Sequence, residues 1–151
     1  MMAKLSMLRA GEEFSKKLVN LGVKTDKVFA SVLDAGGQVA LENVRSNLAS
    51  AVSGDRSTGE LLSSLGLTPA DVDRKGNHNV KIGFNEPRRN QYKAKRKRSY
   101  YVITNAMIAN VIEYGRHGRK AKPFLKPAQS KSRKPVLEAM RAKMESEMAN
   151  L

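Results

Sequence analysis

Glu113 is the one carboxylate of this sequence that sits in an apolar segment beside a cluster of bases, in N-V-I-E-Y-G followed by R-H-G-R-K-A-K. A carboxyl group so placed can serve as a general acid or base. The same pattern also makes a structural ion pair, here with Arg116, Arg119 or Lys120, and that is the expectation adopted. His78 and His117 lie in polar, glycine-rich stretches and read as solvated loop histidines rather than general bases. With two histidines and no cysteine there is no thiolate nucleophile, no disulfide framework and little from which to build a metal cage. A carboxylate site for a hard cation stays open. Residues 54–64 have the glycines and hydroxyls of a phosphate loop, but no G-K-[ST] follows. The chain is therefore expected to be no enzyme and to carry no cofactor.

The bases offer a different chemistry. The net charge is +14, and 16 of the 28 Lys and Arg fall within residues 81–134, where the only acids are Glu86 and Glu113. Such a concentration of charge meets something anionic or keeps the protein soluble. Its densest part is residues 88–98, with Arg88, Arg89, Lys93, Lys95, Arg96, Lys97 and Arg98 around Tyr92, and with Tyr100 and Tyr101 just beyond. Cations neutralise phosphates and a neighbouring aromatic can stack on an unpaired base, so these seven are the candidate contacts to DNA or to an acidic protein surface. A solvated charge run accounts for them equally well. No helix-turn-helix, zinc-finger or RNA-recognition signature accompanies them.

The elements that would position these groups make an α+β chain, treated as a single domain over residues 1–151. Its parts are a helical N-terminal portion (1–53), a sheet-containing core (54–128) with a long basic loop (85–98), and a C-terminal helical portion (129–151). Leu8, Phe14, Leu18 and Leu21 predict a first helix over residues 6–20. Apolar residues from Val28 to Val52 predict a second, capped by Thr25 or Asp26, with Gly36-Gly37 in its middle. Two interior glycines call for a kink, a very close packing contact or a break into two helices. Residues 54–66 read as a polar loop and a short helical turn capped by Thr58, and Thr68 to Asp71 as the start of another turn.

Alternation over residues 79–84 and the Tyr, Val and Ile of 99–104 predict two strands of a small antiparallel sheet of three to four. The basic stretch between them has no apolar period and is expected to be an unstructured loop that orders on assembly, since its cations repel and bury almost nothing. Residues 105–114 read as a short helical entry into a final strand. Pro123 and Pro127 bracket Phe124 and Leu125, which look like an apolar anchor. The clearest helix starts at residue 134 with Pro135 in its first turn. Its stripe of Val136, Leu137, Met140, Met144, Met148 and Leu151 is either plain core or, through Met140, Met144 and Met148, a subunit interface. No apolar run approaches the roughly 20 residues of a membrane span, and residues 1–11 lack the apolar core of a signal peptide. A soluble protein made in the cytoplasm is expected.

Four segments in a fixed order carry a resemblance: G-E-L-L-S-S (59–64), V-K-I-G (80–83), I-E-Y-G (112–115) and P-F-L-K-P-A (123–128). In this order the chain resembles the "gene product ten"-like minor tail family of Hong Kong 97-type long-tailed phages, best over residues 59–151. Arg116 departs from the Thr common in the family, and the basic loop is unusually long. The resemblance implies a virion protein of the neck or top of the tail, forming a homo-oligomeric ring around the genome channel that joins or completes the tail. Its partners would be neighbouring connector and tail tube proteins and the genome DNA in the channel, with no membrane. Glu113, Tyr114, Gly115, Pro123, Phe124, Leu125 and Pro127 would be its structural anchor. A free nucleic-acid-binding protein using residues 81–134 is the alternative.

Overall fold

The computed structural model describes residues 3–4, 25–54, 59–88, 93–96 and 99–150. The helix expected over residues 6–20 and the cap Thr58 lie outside the described residues. Helix α1 runs unbroken over Thr25–Ala51, about 40 Å at 1.5 Å per residue. It buries Val28, Val32, Leu33, Ala40, Leu41, Val44 and Leu48 along one side. A short helix α2 (Glu60–Ser64) leads into strand β2 (Leu65–Leu67). Strands β3 (Asp71–Val72) and β4 (His78–Asn79) follow, then β5 (Lys81–Phe84). Strands β6 (Lys93–Arg96) and β7 (Ser99–Val102) precede helix α3 (Asn105–Tyr114) and helix α4 (Leu125–Ala149).

Strand β1 (Ala3–Lys4) and β2 flank β5 in an antiparallel sheet, with Ile82 opposite both Ala3 and Leu67, and Phe84 opposite Leu65. The other two antiparallel pairs are β3 with β4 and β6 with β7. The start of a helical turn expected at Thr68 to Asp71 is instead extended chain entering β3. Beyond it Asp73 closes the hairpin, its Oδ1 accepting the backbone N–H of Lys75 at 2.8 Å and of Asn77 at 2.9 Å.

Helices α1 and α4 lie antiparallel, as the order of their contacts requires. Ser31 reaches Glu147, Gly36 faces Met140, Asn43 donates to Ser132, and Asn47 donates to the Phe124 carbonyl. The two glycines mark this packing rather than a kink. A Cβ on Gly36 would stand 2.6 Å from Met140 Cγ, and one on Gly37 would stand 2.9 Å from Leu67 Cδ1. One glycine thus admits α4 and the other admits the sheet.

Helix α4 begins nine residues before the position expected from its apolar stripe, 134. Its buried positions are Ala128, Ser132, Val136 and Met140, one every four residues. The first two are too small or too polar for a hydrophobicity reading to find. Pro135 therefore sits inside the helix, on an exposed position, not in its first turn. Leu137 is off the stripe and 62% exposed.

Candidate functional site

The site begins at the Thr104 hydroxyl, which caps α3 by accepting the Met107 N–H at 3.1 Å. Residues 105–114 are helical throughout, so the expected final strand is absent from them. The helix stops at Gly115, whose φ of 75° is open to glycine, and whose added Cβ would lie 2.8 Å from the Ala121 nitrogen and from the Arg119 oxygen. Arg116 and Arg119 then exchange backbone hydrogen bonds of 3.1 and 2.8 Å around His117 and Gly118. The chain doubles back, and the Lys122 N–H donates to the Ile112 carbonyl at 2.7 Å.

That reversal places the start of α4 on the Glu113 side chain. Glu113 Oε2 accepts the backbone N–H of Phe124 at 2.7 Å and of Leu125 at 2.9 Å, and Oε1 accepts that of Lys126 at 3.2 Å. Pro127 has no N–H, and that of Ala128 returns to the Phe124 carbonyl at 3.4 Å. Every donor of the first turn is thereby accounted for, by a carboxylate at the positive end of the helix dipole. The ion pair expected between Glu113 and Arg116, Arg119 or Lys120 is corrected: both oxygens of the buried Glu113 are used on backbone donors, and no such ion pair occurs among the described residues. Phe124 is fully buried, its ring edge-on to Phe84 at 6.5 Å. Leu125 is half-buried, while Tyr114, Pro123 and Pro127 are exposed.

Four of the seven basic candidates are among the described residues. Arg88 is buried, its Nη1 donating to Asn105 Oδ1 at 3.1 Å and its Nη2 lying 3.4 Å from Glu60 Oε2. It ties the end of the sheet region to α2 and α3, which removes it from the surface contacts expected of it. Lys93, Lys95 and Arg96 belong to β6, with Lys95 opposite Tyr100 and Arg96 opposite Ser99. The expected unstructured loop thus contains a strand, because Ser99–Val102, rich in strand-forming residues, supplies a partner ladder. Arg89, Lys97 and Arg98 lie outside the described residues. The methionines divide as well: Met140 is core against Gly36, Met144 is half-buried, and Met148 is 41% exposed. Met140 is therefore enclosed by its own chain and not open to a neighbour.

His117 is exposed in its turn, but His78 is on β4, its Nε2 3.3 Å from Asp26 Oδ1 and its ring 5.1 Å from Phe29. It packs against the start of α1 and is no solvated loop histidine. Three further cations are Arg119 and Lys120, which the sequence offered only as partners for Glu113, and Lys122, which it did not single out. With Arg88 and the apolar residues Leu61, Ile108, Val111 and Ile112 they line a cleft of about 400 Å³ beside the end of α1. The basic run R-H-G-R-K-A-K was the only signal for them.

Residues 12–115 match the model of a family described as "Bacteriophage HK97-gp10, putative tail-component". The match takes in α1, strands β2 to β7 and α3, and ends at Gly115, before the P-F-L-K-P-A segment. No curated protein and no solved structure matches the chain.

Proposed function

The chain belongs to the HK97-gp10-like family of bacteriophage tail components, and on that premise we propose that it is a non-catalytic building block of the neck, assembling in the host cytoplasm into a ring that joins or completes the tail around the genome channel. The family match carries this reading. Two features of the molecule support it. Exposed Leu137 and Met148 on α4 leave apolar surface for a neighbouring copy. The β6–β7 hairpin carries Lys93, Lys95 and Arg96 on a short ladder that can reach an adjoining ring. Repetition around a ring multiplies a weak contact of this kind through avidity. A docking arm suits the neck better than a tight DNA clamp, which would hinder genome passage.

The test is assembly with Lys95, Arg96, Lys97 and Arg98 changed to Gln. Rings should form as in the wild type, seen by electron microscopy and native mass spectrometry, while head-to-tail joining falls most at low salt and the gap to wild type narrows as salt screens the wild-type cations. Joining at normal yield across that salt range refutes the docking role. Absence of rings in the wild-type protein, with phosphate-dependent binding of DNA by monomers, would replace the reading with that of a free nucleic-acid-binding protein.

A further inference from the structure

The cleft between the end of α1, α2, α3 and the turn after Gly115 has a composition that neither the ring nor the hairpin uses. Its apolar lining is Ala51 and Val52 at the end of α1, Leu61 from α2, and Ile108, Val111 and Ile112 from α3. The three α3 residues are half-buried, so part of each remains open to solvent or to a ligand. Arg119, Lys120 and Lys122 are exposed along it, and none is held in an ion pair among the described residues. Arg88 also lines the cleft. It is 8% exposed and fixed by Asn105 and Glu60, so the cations open to a ligand are Arg119, Lys120 and Lys122.

We infer that this cleft is a docking site for an acidic segment of another virion protein, one that inserts an aliphatic side chain between Leu61 and the α3 residues and sets carboxylates against Arg119, Lys120 and Lys122. The partner's identity as a virion protein rests on the proposed function; the binding chemistry does not. Charge complementarity and the apolar lining together select the occupant. Nucleic acid satisfies the cations better than the floor, because its strand is outwardly anionic and polar and, among the described residues, the lining has no aromatic side chain on which a base could stack. A second copy of this chain carries the same +14 and brings like charge to a basic rim. A carboxylate flanking a leucine or isoleucine meets both demands, with Arg able to engage it through paired N–H donors.

The probe is a fluorescein-labelled octapeptide of Glu with two central Leu, titrated by anisotropy against the full chain. R119Q/K120Q/K122Q should bind it about tenfold more weakly or worse, whereas K131Q/R133Q/K134Q, at exposed positions of α4, should stay within about twofold of wild type. Replacing Glu by Gln or Leu by Ser in the peptide should each abolish most of the binding. Val111→Glu, which puts a like charge into the cleft wall, provides a second variant should the triple one melt early. Equal affinity of both triple variants overturns the inference, as does a serine peptide that binds as tightly as the leucine one. A duplex DNA oligomer losing the same factor as the peptide makes the cleft a nucleic-acid surface instead. Peptide release on ring formation makes the occupant a second copy, and also overturns it. Native mass spectra of the same samples keep the two readings apart: monomers that bind the peptide refute the ring, and rings that ignore it refute the cleft.

Discussion

The Glu113 carboxylate accepts the Phe124 backbone N–H at 2.7 Å, joining two residues eleven positions apart across a helix end, a turn and a helix start. This contact, with those to Leu125 and Lys126, fixes where α4 begins and so where Phe124 enters the core. The I-E-Y-G and P-F-L-K-P-A segments are thus two halves of one device: the first supplies the cap and the glycine stop, the second the donors and the buried ring.

Removing the cap should uncover these donors. Glu113→Ala is expected to cost about 3 kcal/mol, the scale of losing a charged acceptor that several buried donors share. Glu113→Gln should cost less, because its carbonyl oxygen still accepts while the charge is lost. Urea unfolding of the three proteins measures both, and an alanine variant as stable as wild type would show that the cap is dispensable.

The Gly36 contact should behave as a coupled pair. Gly36→Ala gains about 1 kcal/mol of helix propensity. Against this, the new methyl collides with Met140 Cγ at 2.6 Å and Sδ at 2.8 Å, and overpacking of this kind typically costs 1 to 3 kcal/mol, about 2 here. The single variant should therefore be destabilised. With Met140→Ala already in place the same change should become neutral or stabilising. Thermal unfolding of the four proteins gives the coupling, and strictly additive effects would rule out the contact.

Glu147 links α4 to α1 through acid-sensitive bonds. The Lys143 ammonium at 2.8 Å, together with the Ser31 hydroxyl at 3.1 Å, holds the Glu147 carboxyl below its ordinary 4.5. A depressed native value adds stability above the unfolded value, and that stability is lost as pH falls through the native one. Glu147→Gln should therefore unfold at a lower denaturant concentration than wild type at about pH 6, and the two should converge in acid. The effect should be small, since the pair is exposed and screened. A difference that persists unchanged into acid would mean that the charge is not its source.

The long helices, the strands around Ile82 and Tyr100, the Phe124 anchor and the family were legible in the residues themselves. Each leaves a local signature: an apolar period of three to four, an alternation of two, or a proline-bracketed ring in a recognisable order of motifs. The role of Glu113 was not legible. Nearby cations are the obvious partners for a carboxylate, and only the reversal through Gly115 and Gly118 brings backbone donors closer. Nor could the basic run reveal that Arg88 turns inward to Asn105 and Glu60 while Lys93, Lys95 and Arg96 join a ladder. Charge sets the cost of burial but does not say which cation will find an acceptor.

Local pattern by itself determined the helix that follows Thr25, the strands around Ile82 and Tyr100 and that the excess charge lies in residues 81–134. The tertiary structure alone decided that α4 starts at Leu125, that the two glycines face α4 and the sheet, and that four cations share a cleft with α3. The physical reason is the range of the interactions. Periodicity acts over a few residues, whereas a remote cap, a missing Cβ and a shared cleft depend on groups that the chain brings together only after it has turned back on itself.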